Sequence, residues 1–442
     1  MRTAVEMARA VREGEVSPVE LVEEAVRRAD AWQPAINAFS QIHGDRAVEE
    51  ARAVRNGPLQ GVPVAVKDLF DVAGWETTGC CNGYRGRVAE RDAEAVRRLR
   101  AAGAVVIGKT NQHELAAGAT NQISSCGPAW NPWDLDRITG GSSGGSGAVV
   151  AAGIVPVALG TDTGGSIRIP ASMGGVTGVK PTHGATPLDG VMPLSPSLDT
   201  VGPMVASVAD AALVFQLLLG REPEPLPAVG RLRIGIPAGI FEDAALPEVL
   251  SARDRVAAAL EDAGATPVGG VGELRYDPET WSRLAWSELY LAHGHLLQRE
   301  DAVHPWTRAF LERGRDEGED GRRRGLREAE EVRRSFGAML ERADVLVAPS
   351  TPTPAITADT REVRLGDGRT LDIRRGAISL LTRPVNLAGL PAVAVPAGWS
   401  GGLPLGVQLI GRAGDELSLL AAAAVIEAVG VHERRDPALP ES

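Results

Sequence analysis

Two glycine-framed serines, Ser142 in "GGSSGG" and Ser166 in "TDTGGS", and one lysine, Lys67 in "GVPVAVKD", could together perform nucleophilic acyl chemistry. Of 46 cationic side chains only three are Lys (Lys67, Lys109 and Lys180); every other one is Arg. A guanidinium does not deprotonate in a protein, whereas an ammonium does once desolvation has lowered its pKa towards neutrality. Lys67 follows the apolar run "VPVAV", which predicts a buried strand ending on a desolvated amine. Lys is kept where a proton must come off, and a serine nucleophile needs such a base.

Several readings of the Ser and Gly block, "ITGGSSGGSGAVVAAGIVPVALGTDTGGSIRIPASMGG", have to be weighed. A flexible linker would not run at once into "AVVAAGIVPVALG", which has the composition of a helix followed by a buried strand. A phosphate-binding loop of Walker type would need a Lys after the glycines, and none follows. Dinucleotide spacing fails as well, and a non-catalytic, anion-binding protein with Gly-rich loops stays as the alternative of another class. "GGSSG" matches the hydrolase elbow G-x-S-x-G centred on Ser142, but "NPWDLDRIT" before it is a poor strand.

Ser166 has the better setting. "VPVALG" reads as its strand, "TDTGG" as a tight turn and "SIRIPASMGG" as the start of a helix. Gly164 and Gly165 let successive N–H groups point at one spot, with a helix N-terminus behind them, as an oxyanion hole requires. The residues three before each Lys are Val64, Val106 and Thr177. A short-range Ser-x-x-Lys arrangement is therefore excluded, and a Ser–Lys pair has to be assembled in space.

The elements that must position these residues alternate along the chain. Residues 1–56 read as helical, with Ser17 capping and Pro18 opening "SPVELVEEAVRRADAW". "GVPVAVKD" and "AVVIGKT" are strands, with the helix "RDAEAVRRLRAAG" between them. "REPEPLPAVG" (221–230) is a Pro-rich connector and the best candidate for a boundary. Beyond it come the strand "RLRIGIP", the helix "SARDRVAAALEDAGATPV", a charged helical stretch over 311–345, and the strands "ADVLVAP", "LPAVAVPAG" and "LPLGVQLIG". This pattern predicts an α/β fold, with a sheet covered by helices on both faces.

Bulk properties exclude other classes. The chain has 442 residues and a net charge of −11, which argues against nucleic acid as a charge-driven partner. The N-terminus lacks an apolar core of signal-peptide length, and no stretch reaches the length of a membrane span. Three cysteines, Cys80, Cys81 and Cys126, make neither a disulfide framework nor a paired zinc pattern. A cytoplasmic protein without metal or cofactor is expected.

At "GVPVAVKD", "GGSSGGSGAVVAAGIVPVALGTDTGGSIRIPA" and "GVKPTHG" the chain resembles the amidase signature family, and "NLAGLPAVAVPAG" and "LPLGVQLIGR" extend the likeness over most of residues 50–425. The resemblance implies a single amidase domain over 1–442: a helical segment (1–56), a catalytic core (57–220) and a second half (231–442) completing one large mixed sheet and the substrate pocket. It also implies amide hydrolysis with Ser166 as nucleophile, Lys67 as base and Ser142 bridging them on a cis peptide. The N–H groups of Thr163, Gly164, Gly165 and Ser166 would surround the oxyanion.

Ser143, Asp162 and Arg168 are expected to support the nucleophile loop. Ile169, Cys80 and Cys81 are candidates to line the substrate pocket, and the 276–335 region to cover it. His113, His183, Lys109 and Lys180 read as structural. The expected substrate is a small amide, its acyl group neutral and partly hydrophobic because Ile169 follows the nucleophile. An alternative is the glutamine-hydrolysing A subunit of a tRNA-dependent amidotransferase, which typically carries Gln where Ile169 stands. A homodimer is left open.

Overall fold

The computed structural model describes residues 2–229, 232–433 and 435–439. Its centre is an eleven-stranded mixed sheet. From one edge the strands run Phe39–Ile42, Val105–Thr110, Pro63–Lys67, Val157–Asp162, Thr200–Val205, Thr177–Lys180, Ala392–Ser400, Leu403–Ile410, Val345–Pro349, Arg233–Gly235 and Thr266–Val268. Pro63–Lys67 and its two neighbours, Val105–Thr110 and Val157–Asp162, are parallel, with Val64 opposite Val157 and Lys67 opposite Thr110. Their carboxyl ends therefore open on the same edge of the sheet, the edge at which α/β sheets bind ligands.

Period-two alternation explains why both faces are covered. Val64 and Val66 pack into one apolar cluster with Leu99, Val208, Phe215 and Leu260. Ala65, between them, packs into the other with Val22, Ala29, Trp32 and Val149. Successive side chains on a strand point to opposite faces, so an unbroken apolar run is the mark of a strand buried on both.

Local chemistry sets the ends of the elements. Ser17 caps Pro18–Ile36 in a capping box with Glu20. The N-terminal segment also holds the edge strand Phe39–Ile42, which four residues in a helical context do not announce. "NPWDLDRIT" forms a hairpin, Trp130–Asn131 with Asp134–Ile138, in a sheet of its own. Asn131 Nδ2 closes it by donating to the Ile138 carbonyl at 3.1 Å.

Just beyond the connector at 221–230, Arg233–Gly235 joins the same sheet beside Val345–Pro349. Gly230 and Arg231, at that junction, lie outside the described residues. The charged stretch is part of a long helix, Pro305–Arg342, interrupted at Gly318. It packs on Pro278–His293, where a Cβ at Gly314 would lie 1.9 Å from the Trp286 carbonyl oxygen. No helix among the described residues is long and apolar enough to cross a membrane.

Candidate active site

Lys67 ends its strand fully buried. Its Nζ donates to Ser142 Oγ and to Thr161 Oγ1, each at 2.7 Å. Burial lowers its pKa to about 7, against the opposing pull of the Asp199 and Asp162 carboxylates. A large fraction of the amine is then neutral at neutral pH, as a base must be. Lys109 is held instead by Asp68 at 2.8 Å and by Thr77 Oγ1 at 2.7 Å. Lys180 donates to the Pro181 carbonyl. Neither contacts the two serines.

Ser142 follows a cis peptide bond from Gly141. Its carbonyl accepts from the N–H of His113 at 3.0 Å, which fixes the turn before the buried helix Gly144–Ala151. Gly145 is required there, because a Cβ would meet the Ala38 and Asn111 carbonyl oxygens at 2.3 and 2.4 Å. Ser143 Oγ donates to the Thr161 carbonyl at 3.2 Å. Ser143 thus braces the residue that holds Lys67 and does not touch the other hydroxyls.

Ser166 follows the strand Val157–Asp162 through a tight turn and is 8% exposed, enough to reach the cavity above it. Asp162 holds the turn. Its Oδ1 accepts from Gly165 N at 2.8 Å and its Oδ2 from Ile167 N at 3.2 Å. Arg168 Nη2 and Nε reach the two Asp162 oxygens at 3.0 Å each, and Arg168 also donates to Gln408 and Asn386. Burial alone would raise the Asp162 pKa; the Arg168 guanidinium and Lys180 outweigh it and hold the carboxyl well below its ordinary value.

Gly165 N–H is committed to Asp162, whereas those of Thr163, Gly164 and Ser166 make no hydrogen bond among the described residues. The helix behind the turn, Arg168–Gly174, is short. Gly165 has φ +123°, and a Cβ on it would lie 2.1 Å from Thr382 Oγ1. Thr382 in turn donates to the Gly164 carbonyl at 2.7 Å, and Trp281 Nε1 donates to the Thr163 carbonyl at 2.9 Å.

The cavity above Ser166 is lined by Ile169 and by Trp281, Trp286, Trp306 and Phe310, with Arg383 in its wall and Arg374 beside it. The aromatic side chains all come from the 276–335 region, where a cover was expected. Cys80 and Cys81 do not line this cavity. Cys80 packs against Asp68, and Cys81 Sγ lies 3.2 Å from the Ala302 carbonyl. The Cys80 N–H donates to Asp68 Oδ2 at 3.1 Å and the Gly79 N–H to the Asp68 carbonyl at 3.0 Å.

Sequence reasoning missed Thr161, Asp199, Trp281, Thr382 and Arg383. Thr161 stands inside the quoted motif, and strand alternation was a signal for it. Asp199, which accepts from Thr163 Oγ1 at 2.5 Å and from the N–H groups of Leu194 and Ser195, had none. Burial pushes its pKa up to about 6. Among the described residues no group of three or more His, Cys, Asp or Glu side chains is placed to hold a metal ion.

The amidase family model matches residues 20–420. The A subunit of the glutamyl-tRNA(Gln) amidotransferase of Symbiobacterium thermophilum is 37% identical, with 100% of this chain and 99% of that protein covered. A crystal structure described as an amidase superposes with a TM-score of 0.89 at 36% identity, covering 97% of this chain and 100% of the other. The corresponding A subunit from Thermotoga maritima superposes with a TM-score of 0.78 at 27% identity, covering 96% of this chain and 94% of the other.

Proposed function

This chain belongs to the amidase signature family, and on that premise we propose that it hydrolyses a carboxamide to the acid and ammonia or an amine through an acyl-enzyme on Ser166. The observation that carries this reading is the 2.7 Å contact between Lys67 Nζ and Ser142 Oγ, beside a serine open to a cavity. Neutral Lys67 takes the Ser142 hydroxyl proton, and Ser142 takes that of Ser166. The Ser166 oxygen then attacks the amide carbon. The N–H groups of Thr163, Gly164 and Ser166 are free to stabilise the oxyanion that forms. The proton returns along the same chain to the leaving nitrogen as the C–N bond breaks. Water, deprotonated by the same route, cleaves the ester and restores Ser166.

A second reading, the glutamine-hydrolysing component of an amidotransferase, is supported by the whole-length likeness to the Symbiobacterium protein. A self-sufficient amidase is supported by the higher TM-score to the structure described as an amidase and by Ile169 in the cavity. Ammonia release by the purified single chain, over a panel of glutamine, asparagine, aliphatic and aryl amides with Ser166→Ala as the blank, separates the two. Turnover of other amides that vanishes in the blank supports the lone amidase. Glutamine turnover alone, dependent on added partner proteins, would replace it with the second reading.

A further inference from the structure

Arg383 is a cation built into the cavity wall without an anion to match. It is 5% exposed, its Nε has no hydrogen-bond partner, and its Nη1 donates only to the Arg375 carbonyl at 3.3 Å. The guanidinium carbon lies 4.0 Å from the centre of the Trp281 ring, a cation–π contact, and the side chain lines the cavity. Glu279, an acid whose charge reaches it, is taken by Arg313. Burial lowers the Arg383 pKa only to about 10, so it stays charged at neutral pH.

The placement is tied to the chemistry. Arg383 follows Thr382, whose hydroxyl holds the Gly164 carbonyl at 2.7 Å, and it stacks on Trp281, whose indole N–H holds the Thr163 carbonyl at 2.9 Å. The guanidinium and the oxyanion turn therefore share one frame. At the mouth of the cavity the exposed Arg374 sits 4.8 Å from the Trp306 ring. Among the described residues no Asp or Glu lines the cavity.

A buried charge left unpaired is costly, and the cost is recovered when a ligand supplies the counter-charge in bidentate geometry. We propose that Arg383 is a specificity residue that binds a carboxylate on the substrate, so that the amide cleaved is the monoamide of a dicarboxylic acid carrying no ammonium group. This rests on the amidase reading above and replaces the neutral acyl group that Ile169 by itself suggested. An α-ammonium, as in glutamine, would meet two cations and no carboxylate.

The test is calorimetric binding to the full-length Ser166→Ala chain of succinamate and glutaramate, against the neutral diamide succinamide and against glutamine. Wild-type kcat/KM for the same compounds runs in parallel. The expected result is binding of the monoamides about 30-fold tighter than the diamide, with glutaramate well ahead of glutamine. Arg383→Gln should erase the preference, and Arg383→Lys, which keeps the charge, should retain part of it. Equal affinity for diamide and monoamide, no binding of either monoamide, or a folded Arg383→Gln chain that keeps the preference would each overturn the assignment. The two readings fail separately. Diamides cleaved as fast as monoamides would leave the amidase standing and remove the anion site. Selective monoamide binding without ammonia release from any amide would leave the anion site and remove the hydrolase.

Discussion

Lys67 Nζ and Ser142 Oγ are 2.7 Å apart across 75 positions of sequence, and both side chains are fully buried. The amine has lost its water shell and kept two hydroxyl partners, Ser142 and Thr161. That combination makes it a base near neutral pH.

Activity should therefore rise with pH as Lys67 loses its proton. The acidic limb of kcat/KM is expected near pH 7, the value to which burial brings the amine; below it the protonated fraction grows and the rate falls tenfold per unit. Lys67→Arg should fold and lose about 10²–10⁴ in turnover, since a guanidinium does not deprotonate. A pH–rate profile of the wild type and one turnover assay of the variant check both. A profile flat from pH 5 to 9 would remove Lys67 as the base.

Ser166 and Ser142 should separate under a covalent probe. A fluorophosphonate is expected to label the peptide carrying Ser166, the serine that opens on the cavity, and not the one carrying the fully buried Ser142. Mass spectrometry of the digested protein reads the site. Label on Ser142 would instead favour the elbow arrangement centred there.

Gly165→Ala should damage the reaction more than the fold. With φ at +123° and Thr382 Oγ1 2.1 Å from the new Cβ, the turn has to move, and the neighbouring N–H groups move with it. A loss of about 10²–10³ in kcat is expected, the scale of a lost oxyanion donor. Steady-state kinetics beside a melting curve would check it; wild-type kcat would show that the apposition is not needed.

Arg168→Met should act on stability. It would strip Asp162 of its main cation, leaving a buried carboxylate with hydrogen bonds from Asn386 and backbone N–H groups and the charge of Lys180. Breaking one side of a buried pair costs about 3–5 kcal/mol, which denaturant titration would read as a lower midpoint. A midpoint unchanged from wild type would mean that the pair is not holding the turn.

The sequence by itself determined the fold class, the strand ending at Lys67, the turn at Ser166 and the three residues proposed to carry the reaction. Local rules sufficed there: apolar runs of strand length, Gly at crowded backbone, and Lys retained in an Arg-rich chain. It also offered 276–335 as the candidate region to cover the pocket, but neither the aromatic character of that cover nor which side chains line the cavity.

What only the tertiary structure decided is where distant groups converge. Thr382 and Trp281 hold the turn from more than a hundred residues away, and Arg383 reaches the cavity through that same contact. Cys80 and Cys81, next to the Lys67 strand in sequence, end outside the cavity, and Gly165 N–H is consumed by Asp162. Such facts depend on which side chains meet across strands and loops far apart in the chain. Composition and periodicity specify which face of an element is buried, but not which partner is buried against it.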